Sequence, residues 1–287
     1  VRPDLVMFST SGYGDSGPDR AFVTWGPNIE ALSGLCALSG FPERACTITQ
    51  YAYPDALSAL HGLVAVMAAL DHRARTGEGQ SINLSQLEAT ISSVGDVMME
   101  ALATGCEPRK LANGSLRAAP HGCYPCRGED RWCVVAVETE EEWLAFVRAL
   151  GNPEWARDER FATRDDRVEH ARDLDARISE WTTGRAAEAV AGALQAVGVA
   201  AAVVQTVADE YERDPQLAAR HFFETIAHRV KGPVVATGVP LGLTGTPGRT
   251  SGAGGAIGQD DTYVFRDLLG LREAEIDAYR EAGAIET

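Results

Sequence analysis

Residues 54–84 read PDALSALHGLVAVMAALDHRARTGEGQSINL, and the fold is decided there. Leu57, Leu60, Leu63, Val64, Met67, Ala68 and Leu70 recur at spacings of three and four, so one wide apolar stripe runs along a helix. Pro54 marks a boundary, and Asp55 suits the N-cap, where a carboxylate accepts bonds from backbone N–H groups that have no helical partner. Arg73 and Arg75 fall in the last turn, where cations favour the helix dipole. Thr76-Gly77-Glu78-Gly79 stops the helix. Ser81-Ile82-Asn83-Leu84 then alternates apolar and polar, as a strand does.

Upstream, Leu5-Val6-Met7-Phe8 reads as a buried strand that enters a loop with three glycines and a proline, Ser11 to Pro18. Residues 26–39 are compatible with a helix, and irregular sequence follows up to Pro54. Downstream, a helix is expected over 86–103, a strand over 132–137 and a helix with an acidic first turn over 140–150. Helices over 165–182 and 185–197, a strand-like run over 199–204 and a charged helix over 209–222 complete that block. Residues 232–258 are rich in Gly, Pro and Thr and read as extended, and helices close the chain near 260–269 and 272–282. The organisation is α/β, with a linker over 104–118 and a small α+β lobe over 119–231 between the segments 1–103 and 232–287.

Composition narrows the function. The chain has 287 residues and a net charge of −15, which argues against partners that need a basic face, nucleic acid and anionic membranes among them. No run of 18 apolar residues is present, so no bilayer span is expected. Lys110 and Lys231 are the only lysines, which makes Schiff-base chemistry improbable. The six cysteines are few and unevenly spread, which suggests free thiols in a reducing cytoplasm. The chain begins Val1-Arg2-Pro3 without a Met, so Val1 need not be the first residue of the gene product.

Asp55 is the sharpest chemical candidate. A helix N-terminus stabilises the ionised carboxylate that a nucleophile requires, and the same N–H donors could meet an oxyanion; the plain alternative is a helix cap. The loop Gly12 to Pro18 lacks the Gly-Lys-Ser/Thr of a phosphate loop and reads better as a tight turn at a strand end. His121, Cys123, Cys126 and Cys133 have one Cys-x-x-Cys spacing without a second pair, so a hairpin with buried thiols is preferred over a metal site.

The order of these pieces is specific: Ser11-Gly12-Tyr13-Gly14 with Gly17-Pro18, then Glu30-Ala31-Leu32-Ser33-Gly34, then Asp55 heading a helix that ends in Thr76-Gly77-Glu78-Gly79-Gln80. This resembles the family III CoA-transferases, the CaiB/BaiF family that includes formyl-CoA:oxalate and carnitine CoA-transferases. The likeness continues through His121-Gly122-Cys123-Tyr124, Asp214-Pro215-Gln216-Leu217 and Leu268-Leu269-Gly270-Leu271. It implies a Rossmann-like large lobe built from both ends of the chain, a small lobe between them, and two copies interlocked as linked rings. It also implies a carboxylate nucleophile at the position of Asp55, which takes CoA from an acyl-CoA and passes it to a carboxylic acid through an aspartyl-CoA thioester. No tightly bound cofactor and no metal are implied, since CoA enters as part of the substrate. Trp25, Asn28, Tyr51 and Tyr53 are the pocket residues it suggests.

Three departures from the family pattern stand out. Family members carry an N-terminal stretch that contributes strands and CoA contacts. Its absence implies a fragment, a separate polypeptide that supplies it, in a homodimer or a mixed pair, or a subunit without catalysis. Gly26 and Glu30 stand where many members have Asp and Gln. Trp25 stands near a histidine of the related α-methylacyl-CoA racemases, which weakens that alternative activity.

Overall fold

The computed structural model describes residues 2–285, and the fold is mixed α/β. The chain divides into two compact units, one ending at Val203 and one beginning at Val204.

The first unit opens with β1 (Met7–Ser11), α1 (Gly26–Leu32), α2 (Leu35–Leu38) and α3 (Tyr53–Thr76), followed by β2 (Ser81–Ser85), α4 (Gln86–Ser93) and α5 (Gly95–Thr104). β1 and β2 pair in parallel, with Met7 opposite Ser81 and Ser11 opposite Ser85. Parallel neighbours need a crossover, and α3 supplies it. It packs against β1, β2, α1 and α4.

Both glycines of the Thr76–Gly79 stop have a physical reason. Gly77 is left-handed at φ 79° and returns its N–H to Arg73 O at 2.8 Å. Gly79 donates to Pro3 O at 2.8 Å, and a Cβ there would lie 2.0 Å from Leu5 O, so a side chain is excluded by main chain. Thr76 ties the turn together: its hydroxyl donates to His72 O at 2.9 Å and accepts from Glu78 N–H at 3.1 Å. Inside the helix, Gly62 lets the ring of Phe8 on β1 come close, since a Cβ there would meet that ring at 2.5 Å.

The rest of this unit contains β3 (His121–Pro125), β4 (Trp132–Ala136), α6 (Glu140–Ala149), α7 (Arg164–Glu169), α8 (Ala171–Thr182), α9 (Ala187–Gln195) and β5 (Ala200–Val203). The three strands form an antiparallel sheet in the order β3-β4-β5. Tyr124, Cys133, Val135, Phe146, Phe161, Leu174, Ile178, Val190, Leu194 and Val199 fill its core. Arg167 is buried in the same region. Its guanidinium donates to Ala119 O, Phe161 O and the Glu140 carboxylate and lies 4.6 Å from the centre of the Trp143 ring.

The second unit has α10 (Val207–Glu212), α11 (Pro215–Ala219), an antiparallel hairpin of β6 (Phe223–His228) and β7 (Gly232–Thr237), a π-helical turn at Thr262–Leu268, and α12 (Glu273–Glu281).

Several expected helices are shorter than their periodicity suggests. The run over 26–39 breaks at Gly34, left-handed at φ 88°, and that over 86–103 breaks at Val94. His170 interrupts 165–182, and Asp214-Pro215 interrupts 209–222, where proline ends one helix and begins the next. Asp55 is not the N-cap. Ala52 is, and Asp55 is the third helical residue, because Pro54 lacks an N–H and so fits the first turn.

Among the described residues, α3 alone is long and apolar enough to cross a bilayer, with a mean hydropathy of 1.3. It does so by length and composition only; its contacts with β1, β2, α1 and α4 use one side of the helix, and 22% of the apolar window is buried.

Candidate active site

Parallel strands carry their loops to a common carboxyl-terminal rim, the usual place for a ligand in such sheets. In this unit, β1 ends at Ser11 and runs into Gly12, β2 ends at Ser85 and runs into Gln86, and α3, which runs back the other way, starts at the same rim. Gly12 O accepts from Leu87 N–H at 3.0 Å and lies 3.4 Å from the Ser85 hydroxyl, which stitches the glycine loop to the start of α4. Gln86 then reaches across to α3, where its Nε2 donates to Asp55 Oδ1 at 2.8 Å.

Asp55 is exposed. The expected bonds from first-turn amides to its side chain are not what the structure has. Tyr53 N–H is taken by Tyr51 O at 2.8 Å and Asp55 N–H by Ala52 O at 3.1 Å. The Asp55 carboxyl is oriented instead by a side chain 31 residues further along the chain. One oxygen is held by Gln86, and the side chain stays open to an incoming group.

The other expected site residues gather only in part. Tyr51 and Tyr53 flank Asp55 in sequence and meet edge to face, with ring centres 5.2 Å apart. Both are exposed. Trp25 is 75 % exposed and caps α1. Asn28 acts locally, since its Oδ1 accepts Trp25 N–H at 3.2 Å.

Two further residues bear on the turn that enters α3: Glu30, which the sequence marks as a departure from the family pattern, and Gln50, which it does not mark. Glu30 on α1 is 2 % exposed, and its two carboxyl oxygens take both donors of Thr49. Gln50, next to Thr49, has a left-handed φ of 63°.

Elsewhere, His121 Nδ1 lies 2.8 Å from Asn113 O, and Cys126 and Cys133 are core residues. Burial pushes the Cys133 thiol up to about 12, and burial raises Cys36, Cys123 and Cys126 as well, so none of these four is an activated thiolate. Two sizeable cavities lie in this unit, of about 750 Å³ between His121, Asn113 and Ala200 and of about 650 Å³ between α5 and residues 106–116. Neither takes in Asp55. Around Asp55 and along the outer side of α3 the surface is apolar and uncovered: Leu60, Leu63, Val64 and Met67 are between 58 and 70 % exposed.

Residues 1–261 match the model of CoA-transferase family III. The chain is 31% identical over 96% of its length to succinyl-CoA–D-citramalate CoA-transferase of Chloroflexus aurantiacus, of which it covers 68%. It is 29% identical over 98% of its length to the alpha subunit of succinyl-CoA–L-malate CoA-transferase of the same organism, of which it covers 65%. A crystal structure of a CaiB/BaiF family protein from Brucella suis superimposes with a TM-score of 0.84 at 26% identity, over 93% of this chain and 68% of that one. The chain thus spans about two thirds of the length of these relatives.

Proposed function

The chain belongs to CoA-transferase family III, and from that premise we propose that it moves CoA from an acyl-CoA donor to a carboxylic acid acceptor, with Asp55 as the nucleophile. The observation that carries this reading is the exposed Asp55 carboxyl on the rim where the glycine loop, α4 and α3 converge, held from one side by Gln86.

The chemistry is carboxylate acyl transfer. An Asp55 oxygen attacks the thioester carbonyl, the carbon–sulfur bond breaks, and CoA leaves as a thiolate from a mixed anhydride of Asp55 and the acyl group. The thiolate then attacks the Asp55 carbonyl carbon, which expels the donor acid as a carboxylate and leaves aspartyl-CoA. An acceptor carboxylate reverses the sequence. Gln86 fits a ground-state role, since an amide that donates to Oδ1 leaves Oδ2 free to attack and restricts rotation of the group. The relatives are named for succinyl-CoA and for the dicarboxylic acids citramalate and malate, so succinyl-CoA is the first donor to test.

The large lobe is Rossmann-like in this reading, with β1 and β2 as two of its parallel strands, and the uncovered apolar side of α3 is covered in the working enzyme by further polypeptide. A dimer of interlocked chains or a companion subunit would supply it, and large exposed apolar patches are a mark of such contacts.

The test is trapping. The protein is incubated with succinyl-CoA and hydroxylamine, and its peptides are weighed. Conversion of Asp55 to a hydroxamate is expected in the wild type and no modification at that position in Asp55→Asn. A protein that binds CoA and transfers it with Asp55 unmodified removes the nucleophile from this reading.

A further inference from the structure

We infer that Glu30 is a positioning residue for Asp55: its buried carboxyl anchors the turn that leads into α3 and so sets where the Asp55 side chain stands. This rests on the reading of Asp55 as nucleophile.

Residues 45–52 contain no helix and no strand, yet they end at the first turn of α3. Their position is therefore not fixed by a ladder of backbone bonds. Glu30 supplies the fix. Its Oε2 accepts Thr49 N–H at 2.9 Å, and its Oε1 accepts the Thr49 hydroxyl at 2.7 Å. Two bonds from two atoms of one residue set orientation as well as place, where a single bond would leave a hinge.

The linkage continues toward the site. The Thr49 hydroxyl lies 3.0 Å from Tyr51 O, and the same Tyr51 O accepts Tyr53 N–H at 2.8 Å. Tyr53 is the first residue of α3, two before Asp55. Between the clamp and the helix stands Gln50 in the left-handed region, a conformation that non-glycine residues keep only where their surroundings over-determine it. Glu30 is itself firmly seated, since α1 packs against both α3 and α4. Gln86 holds Asp55 from the α4 side, and Glu30 holds the backbone that carries it from the α1 side.

The experiment compares the full chain with its Glu30→Ala, Thr49→Val and Glu30→Gln variants. Three quantities are read: amide hydrogen exchange over residues 51–56, the affinity for succinyl-CoA, and the single-turnover rate at which CoA appears on the Asp55 peptide. Glu30→Ala and Thr49→Val are expected to speed exchange over 51–56 about 10-fold. They are expected to slow adduct formation by about 10- to 100-fold, as a displaced reacting group does, with succinyl-CoA affinity unchanged. Glu30→Gln keeps an oxygen that accepts Thr49 N–H and is expected to recover most of both.

Faster exchange with an unchanged adduct rate overturns the positioning role. Unchanged exchange in both truncations overturns the clamp itself. Faster exchange in the variants together with a wild-type CoA adduct on a residue other than Asp55 removes the nucleophile reading and with it the role assigned to Glu30, while leaving the clamp. Thr49→Val removes one hydroxyl at a half-buried residue and leaves the Glu30 carboxyl in place, so it reads the clamp even if Glu30→Ala fails to fold.

Discussion

Arg167 is buried among Ala119, Phe161 and Trp143, while the Glu140 carboxylate that it meets at 2.8 Å keeps a side chain 56 % exposed. The stabilisation therefore comes less from the ion pair than from the carbonyls of Ala119 and Phe161, which would lose their donor inside the protein. Truncation to Met should cost about 3 kcal/mol, the range for stranded buried acceptors and a broken buried charge contact, read from urea denaturation. Glu140 adds a pH signature. Its hydrogen bond from Arg167 holds the carboxyl below the usual value of 4.5. A depressed acid stabilises the fold above its unfolded value and loses that contribution as pH falls through its folded one. The stability difference between wild type and Glu140→Gln should be full above about pH 6 and shrink below pH 4.5. At this scale the sequence discloses one half of each partnership. Asp55 stands out because it heads an apolar helix, but its partner Gln86 lies 31 residues away, and Glu30 and Thr49 are 19 apart. No local spacing carries such pairs, so they become visible only once α1, α3 and α4 are packed.

At the scale of elements, the two ends of α3 differ in how they are fixed. At the C-terminal end, Gly77→Ala places a Cβ in a left-handed residue and should cost about 1 kcal/mol. Gly79→Ala should cost more, because the atom in its way is Leu5 O, and main chain cannot swing aside as a side chain can. Calorimetry of both variants checks the order: a larger fall in Tm for Gly77→Ala would contradict the close approach of residues 3–5. This end was fully legible, since Thr, Gly and Gly each answer a local geometric need. The N-cap at the other end is Ala52, three residues before the expected Asp55, because a cap-forming aspartate and a proline admit two registers. The first strand of the β6–β7 hairpin, Phe223 to His228, carries little apolar–polar alternation to read, and four of its six residues are half-buried.

At the scale of the molecule, the distribution of burial is uneven within the first unit. Residues 119–199 enclose Tyr124, Trp143, Phe146, Phe161 and a ring of aliphatic side chains. Over residues 2–104 the buried apolar residues are Ile29, Cys36, Ala69 and Ala89, while Met7, Trp25, Leu60, Val64, Met67, Met99 and Leu102 stand exposed. Exposed apolar surface of this extent marks a contact site. Light scattering at micromolar concentration should give a mass well above the 30.6 kDa of a single chain if a second copy covers α3, and a species of one chain would remove the homodimer as its cover. The α/β class and the family were readable from the order of motifs. The extent of the exposed side was not, because apolar stripes look alike in sequence whether their cover comes from the same chain or from another.

The parallel course of β1 and β2 has one more consequence. Strands that point the same way deliver their exits to one margin, while their entries stay at the other with Gly79 wedged against residues 3–5. Change is therefore tolerated unequally. At the margin of the exits, the stretch between Gly12 and Thr24 has room for a longer or different loop while Asp55 and Gln86 keep their places, whereas at the other margin a side chain on Gly79 would run into the main chain of Leu5.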